Sequence, residues 1–302
     1  MHLDWVNEMN IIEIDRYDYG SILEDDQLAI YKEYIAASHL DIPQDTKSQS
    51  NLWLLNVDGI DYDDVFDIIE LAAFDDPITG IYHSNNVDNI VIYTKKNKFV
   101  ASSPVTENTS ELESVKKDAL SEADKIFDIA NDYELSKLNM DLGSDEKTSD
   151  IKAWIRAVYH QVVANADYDG RDEYEWTTHA NDMYGCLIEG RTLCVGYAET
   201  IKFLLDKKGV PNFIGTGVIQ DGTDTRHAFN ILEIEGEWLV LDGTMNAYNP
   251  QDGGSRVLMP DSLDFRQSYT GCLISLKDYL NANSIDVEMP TMELLNMLNV
   301  QL

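Results

Sequence analysis

Three residues in the second half of the chain could do chemistry together, and they occur in the order thiol, imidazole, carboxylate. Cys194 lies in Arg191-Thr-Leu-Cys-Val-Gly-Tyr-Ala-Glu199, His227 in Arg226-His-Ala-Phe-Asn230, and Asp242 in Glu237-Trp-Leu-Val-Leu-Asp-Gly-Thr244. A nucleophile, a base and a group that orients the base are the requirements of nucleophilic cysteine catalysis. A lone cysteine is more often a buried core thiol, and a lone strand histidine is usually a satisfied polar residue. Catalysis therefore depends on whether the surrounding elements bring the three side chains to one place.

The segment after Cys194 has a helical pattern. Tyr197, Ile201, Leu204 and Leu205 recur at helical spacing, and Gly209 followed by Pro211 ends the run. Cys194 is thus expected where a loop becomes a helix, and backbone N–H groups at a helix N-terminus favour an anion. Three alternating runs follow, Phe213 to Ile219, Thr225 to Ile234 and Glu237 to Leu241. The turns between them fall at Asp221-Gly222 and Glu235-Gly236, so an antiparallel meander is expected. Centring the second hairpin on Glu235-Gly236 sets His227 opposite a position near 244, within two residues of Asp242. Both side chains can then share a sheet face within hydrogen-bond reach.

With these residues in view, the stretch from about 150 to 246 resembles the core of the transglutaminase-like superfamily of papain-related folds. The resemblance rests on Tyr168-Asp169 after a helix and on Tyr184-Gly-Cys-Leu-Ile-Glu-Gly190 leading into Leu193-Cys-Val-Gly-Tyr-Ala198. Phe203-Leu-Leu-Asp-Lys-Lys-Gly-Val-Pro211, His227-Ala-Phe-Asn230 and Gly236-Glu-Trp-Leu-Val-Leu-Asp-Gly-Thr244 complete it. The chain is similar in particular to bacterial, often surface-associated members, whose upstream domains can contain a phrase like Phe74-Asp-Asp-Pro-Ile78. The resemblance implies Cys194 as nucleophile, His227 as general base and acid, and Asp242 as orienter. It implies attack on a peptide or carboxamide, with the acyl group passed to water, as in a protease or deamidase, or to an amine, as in a transglutaminase. A non-catalytic binding or cell-surface scaffold that keeps the fold is the alternative. Tyr184, Gly196, Tyr197, Phe229 and Asn230 are the expected oxyanion or substrate-lining residues, with the backbone N–H of Cys194 as a further donor. The chain departs from the family pattern at Phe229, where tryptophan is frequent, and at Met245, where an aromatic is common.

The expected class is α+β: a papain- or transglutaminase-like core, with the cysteine helix packed on an antiparallel sheet that carries His227 and Asp242. An accessory N-terminal α+β domain and connecting helix are expected over 1–145, and the catalytic domain with its C-terminal extension over 146–302. Leu142 to Ser149 is the expected boundary. Upstream, helices are expected over Asp26 to His39, Asp61 to Phe74, Glu111 to Tyr133 and Asp150 to Ala164. Strands are expected at Asn10 to Ile14, Asn51 to Val57 and Asn89 to Thr94, with a breaker at Asp75-Asp-Pro-Ile78 and loops over 101–112 and 251–260. Short helices are expected at Ser275 to Asn283 and Met292 to Leu298.

Composition narrows the partners. At 302 residues, 44% hydrophobic and 10% aromatic, the chain is globular in character. Lys+Arg number 22 against 55 Asp+Glu, a net charge of −33, which repels phosphate backbones and anionic headgroups. A peptide or protein substrate is expected, with no nucleic acid and no direct membrane insertion. Three cysteines, Cys186, Cys194 and Cys272, do not make a disulfide framework. The N-terminal stretch lacks the pattern of a signal peptide, while the resemblance allows a secreted or cell-surface setting. No cofactor or metal is expected. Asn165-Ala-Asp-Tyr-Asp-Gly170 imitates the start of a calcium loop, but its twelfth position is Trp176 rather than a bidentate glutamate, so a helix-exit turn is expected. Cys186, His179 and Asp182 lack zinc-ligand spacing.

Overall fold

The structure, a computed structural model, describes residues 14–39, 54–56, 60, 62–86, 91–93, 109–140, 150–220, 222, 224–247 and 271–302. The chain divides into two compact units, Met1–Lys117 and Asp118–Leu302. The expected boundary at Leu142 to Ser149 lies outside the described residues. So do positions 10–13 of the first expected strand, 101–108 of the loop expected over 101–112, and the loop at 251–260; positions 109–112 of the former are helical instead.

The first unit contains α1 (Asp25–His39), β1 (Leu54–Asn56), α2 (Tyr62–Asp75), α3 (Pro77–Asn86), β2 (Val91–Tyr93) and the start of α4 (Thr109–Met140). The helices bury Ile30, Tyr34, Val65, Ile69, Ala72 and Ile81, and β1 pairs with β2 in parallel. Buried Asp75 accepts the Tyr19 N–H at 2.6 Å and the Tyr31 hydroxyl at 2.8 Å. The expected breaker at Asp75-Asp-Pro-Ile78 is instead a helix restart. Asp76 accepts from the Ile78 N–H at 3.0 Å and the Thr79 hydroxyl at 3.1 Å, and Pro77 occupies the first helical position, where its missing N–H costs nothing.

The second unit places helices against an antiparallel sheet, an α+β arrangement. After the rest of α4 come α5 (Asp150–Asn165), β3 (Asp167–Tyr168), β4 (Arg191–Thr192) and α6 (Cys194–Lys208). The meander β5 (Asn212–Ile219), β6 (Thr225–Ile234) and β7 (Glu237–Leu241) follows. Then come β8 (Cys272–Ser275), α7 (Leu276–Asn283), β9 (Ile285–Val287) and α8 (Met289–Met297). The five-stranded sheet has the order β8-β7-β6-β5-β9, every neighbour antiparallel. β8 and β9 extend the expected meander on its two sides; they are four and three residues long, too short to show a period of their own.

Helix α6 packs on β5, β6 and α5. It is buried on nearly every side, from Gly196 to Leu205, as a helix held between layers must be. Lys207 and Lys208 sit in its last turn, where the dipole favours cations. Gly209, at φ 77°, ends it: its N–H and that of Val210 close on the Asp206 and Leu205 carbonyls.

Candidate active site

The geometry starts from the β6–β7 hairpin. Glu235 and Gly236 both have positive φ, 56° and 81°, the two-residue turn whose twist matches the strands it joins. From that turn the register runs Ile234↔Glu237 to Asn230↔Leu241. Continuing it one step sets Phe229 opposite Asp242, with His227 two residues further along the same face. The result is a hydrogen bond of 2.9 Å between His227 Nε2 and Asp242 Oδ2. The Cys194 side chain lies close enough to the same imidazole to favour its protonated form. With Nε2 committed to Asp242, Nδ1 is the ring nitrogen left for the sulfur. Cys194, His227 and Asp242 are therefore brought together.

Cys194 opens α6, with extended Leu193 at the N-cap. The approach is pinned by two donors on the Ala180 carbonyl, the Thr192 hydroxyl at 2.9 Å and the Leu193 N–H at 2.8 Å. Asp182 anchors the segment before it. Its Oδ1 accepts from the N–H groups of Tyr184 and Gly185 at 2.8 and 3.1 Å, and its Oδ2 meets His179 Nδ1 at 2.6 Å. Gly185–Glu189 then forms one wide helical turn, of the kind hydrogen-bonded five residues apart. It ends at left-handed Gly190 and hands the chain to β4.

The electrostatics follow from these contacts. Burial works against charge on His227, but the Asp242 hydrogen bond and the Cys194 side chain outweigh it and push its pKa up to about 10. Burial also works against charge on Asp242. His227, Thr244 and Tyr279 reverse that effect and hold its carboxyl below the usual range. Cys186 and Cys272 are each pushed up to about 12 by burial, so neither is a ready thiolate.

The expected lining residues take different positions. Gly196 is a packing glycine: a Cβ there would lie 2.0 Å from Thr192 Oγ1 and 2.6 Å from the Asp182 carbonyl oxygen. Tyr197 is fully buried and donates to the Ala166 carbonyl at 2.7 Å. Asn230 is fully buried and donates to the Ala198 carbonyl at 2.9 Å, tying β6 to α6. Phe229 is buried against the Tyr279 ring, with centroids 4.9 Å apart. Gly196, Tyr197 and Asn230 thus hold packing positions, whereas Phe229 shares the strand face of His227, its ring centroid 6.1 Å from that of the imidazole. Tyr184 is half-buried, its ring tilted on His179 with centroids 4.5 Å apart.

Three tyrosines and a threonine that the expected site did not include bear on it. Tyr168 lies on β3, whose register pairs it with Thr192, two residues before the cysteine. Its phenol is pushed up to about 12 by burial and then by the charges of Cys194 and Asp242, so it lies in the field of the reacting groups. Thr244 donates to Asp242 Oδ1 from its backbone N at 3.0 Å and from its hydroxyl at 2.5 Å. Tyr279 donates to Asp242 Oδ2 at 2.6 Å, and Tyr159 donates to the Asp242 carbonyl at 2.8 Å. The short pattern Asp-Gly-Thr signalled Thr244, since an aspartate readily accepts from the backbone two residues on. Tyr159 and Tyr279 come from distant elements and carry no local signal; Tyr168 stood out only within the family resemblance.

The calcium-like stretch is partitioned differently. Asn165 donates to the Cys186 and Leu187 carbonyls at 2.7 and 2.9 Å, Asp167 and Tyr168 are strand, and Asp169 is bound by Arg171 at 2.6 and 2.7 Å. It is a helix exit into β3. Among the described residues no group of three or more His, Cys, Asp or Glu could hold a metal ion.

No protein-family model matches the chain, and no curated protein matches it. Part of it is similar to solved structures, including the following two. One is a TGase, 14% identical with a TM-score of 0.30, over 53% of this chain and 45% of the other. The second is a candidate cysteine protease from Cytophaga hutchinsonii, 18% identical with a TM-score of 0.28, over 40% and 37%. The match thus spans less than half the length of either.

Proposed function

We propose that the protein is a cysteine-dependent acyl-transfer enzyme acting on peptide or carboxamide groups. The observation that carries this reading is the imidazole of His227, flanked by the Cys194 side chain and, at 2.9 Å, by Asp242. In the proposed cycle the Cys194 thiolate attacks the carbonyl carbon, forming a C–S bond and a tetrahedral oxyanion. The backbone N–H of Cys194 and the Tyr168 hydroxyl are its proposed donors. His227 gives its proton to the leaving nitrogen as the C–N bond breaks, leaving a thioester and the free amine. Water or a second amine then attacks the thioester, gives its proton to His227, and the C–S bond breaks. Asp242 supports the charge on the imidazolium in both halves.

Iodoacetamide alkylation followed by mass spectrometry of each cysteine tests the reading. Cys194 is expected to alkylate rapidly at pH 6, where a free thiol is almost wholly protonated, and His227→Ala is expected to slow it at least tenfold. Equal, ordinary reactivity in both proteins at that pH would overturn it and leave the binding-module alternative.

A further inference from the structure

The carboxylate of Asp242 is shared in a way that the proposed reaction does not require. Oδ1 takes both donors of Thr244, which fix the plane of the group. Oδ2 takes the imidazole at 2.9 Å and also the Tyr279 hydroxyl at 2.6 Å. We infer that Tyr279 is a positioning residue that attenuates the hold of Asp242 on His227, and so sets the upper pH at which the site keeps its imidazolium. The inference rests on the Cys194–His227 pairing proposed above.

The physical reason is competition for one oxygen. A phenol that donates to Oδ2 draws charge from it and leaves less to stabilise a cation on Nε2. With Oδ1 held twice by Thr244, the carboxylate keeps its orientation without Tyr279, so the effect of the phenol falls on charge. Tyr279 is suited to a constant donor role. It is buried in α7, and burial together with the Asp242 charge drives its pKa far above the ordinary phenol value. Ser275 caps that helix through the Asp278 N–H at 3.2 Å, and Leu276 and Leu280 anchor it beside Tyr279. The other groups facing the pair are Cys194 from α6, Thr244 after β7, Tyr159 from α5 on the Asp242 carbonyl, and Tyr168 from β3. None of these four is a second donor to Oδ2.

The rate of Cys194 alkylation against pH reports the imidazolium as a step at its alkaline end. Tyr279→Phe is expected to move that step upward by about one pH unit. Replacing Tyr279 alone by 3-fluorotyrosine, a stronger donor, is expected to move it downward. A purely structural role would lower the rate at every pH and leave the step in place. A step unmoved in both variants, or moved in the opposite sense, overturns the inference. NMR titration of the His227 ring reads the same displacement without a reactive thiol. A slow wild-type Cys194 with a displaced His227 titration would therefore overturn the proposed function and keep the role of Tyr279. Melting curves show whether each variant is folded at the pH of measurement.

Discussion

Both oxygens of Asp242 are occupied, yet the charge of the carboxylate, rather than its hydrogen bonds alone, is what His227 needs. An asparagine in its place has a single acceptor oxygen, enough for Nε2 or for the Thr244 N–H but not for both, and it would offer no opposing charge inside a buried site. Asp242→Asn is therefore expected to lower the alkaline step of Cys194 alkylation by about one to three pH units. The rate at pH 6 should fall by about tenfold or more. This is the opposite direction from Tyr279→Phe, so the two variants separate loss of the orienting charge from loss of its competitor. The remaining thiols give an internal control. Cys186 is buried and should stay unlabelled while the fold is intact; Cys272 is part-exposed, but its thiol is pushed up to about 12, so it should not label at pH 6. One label per native chain and three per unfolded chain is the expected mass pattern. Labelling of Cys186 before unfolding would contradict the packing described for it.

The elements decide whether these side chains meet, and two glycines show how narrow the tolerance is. At Gly196 the first turn of α6 lies directly on the Thr192 hydroxyl and the Asp182 carbonyl, both already held by neighbours. Gly196→Ala should force α6 away from that support, at a cost of about 1 to 3 kcal/mol, and should slow Cys194 alkylation. Urea melts alongside the labelling rate check both. At Gly236 an added Cβ would meet no atom within 4 Å, but φ is 81°, so Gly236→Val should cost about 1 kcal/mol or more through backbone strain alone. The same two regions mark what could be read from the sequence. The Glu235-Gly236 turn between alternating runs carries its register in two residues, so the pairing of His227 with Asp242 was readable from residue order alone. The helix opening at Cys194 was readable for a similar local reason: an apolar spacing closed by Gly209. What escaped depends on long-range contact. Tyr279 reaches Asp242 across 37 residues, and β9 is only a three-residue edge whose partner, β5, lies far upstream. Helix α3 was hidden for another reason. Asp76-Pro77 reads as a stop when taken alone and as a start once the side chain of Asp76 caps the next turn. Tyr197 and Asn230 neighbour the reacting residues in sequence but are committed to backbone carbonyls in the packing, since proximity along a strand or helix says little about which way a side chain points.

Over the whole chain, a net charge of −33 and a set of paired groups act on stability in opposing directions as pH changes. The carboxyls of Asp76, Asp169 and Asp242 are held below the ordinary range, chiefly by His39, Arg171 and His227 against the cost of burial. Their contribution is present above the unfolded carboxylate value of about 4 and is lost as pH falls through their lower folded values. The imidazoles of His39 and His227 are raised, through Asp76 and through Asp242 with Cys194. Their contribution is complete below the unfolded histidine value of about 6.5 and is lost as pH rises, for His227 through about 10. Mutual repulsion among the 55 acidic side chains grows over the same alkaline range as the histidines discharge. Thermal stability should therefore be greatest between about pH 4.5 and 6.5 and decline toward pH 10. Exposed like charges are screened by salt, whereas the buried His227–Asp242 pair is not. Added sodium chloride should thus raise the melting temperature at pH 8 more than at pH 5. Melts followed by circular dichroism over this grid of pH and salt test both statements. A melting temperature that climbs steadily from pH 6.5 to 10 would show that neither the paired histidines nor the acidic surface governs the stability of the fold.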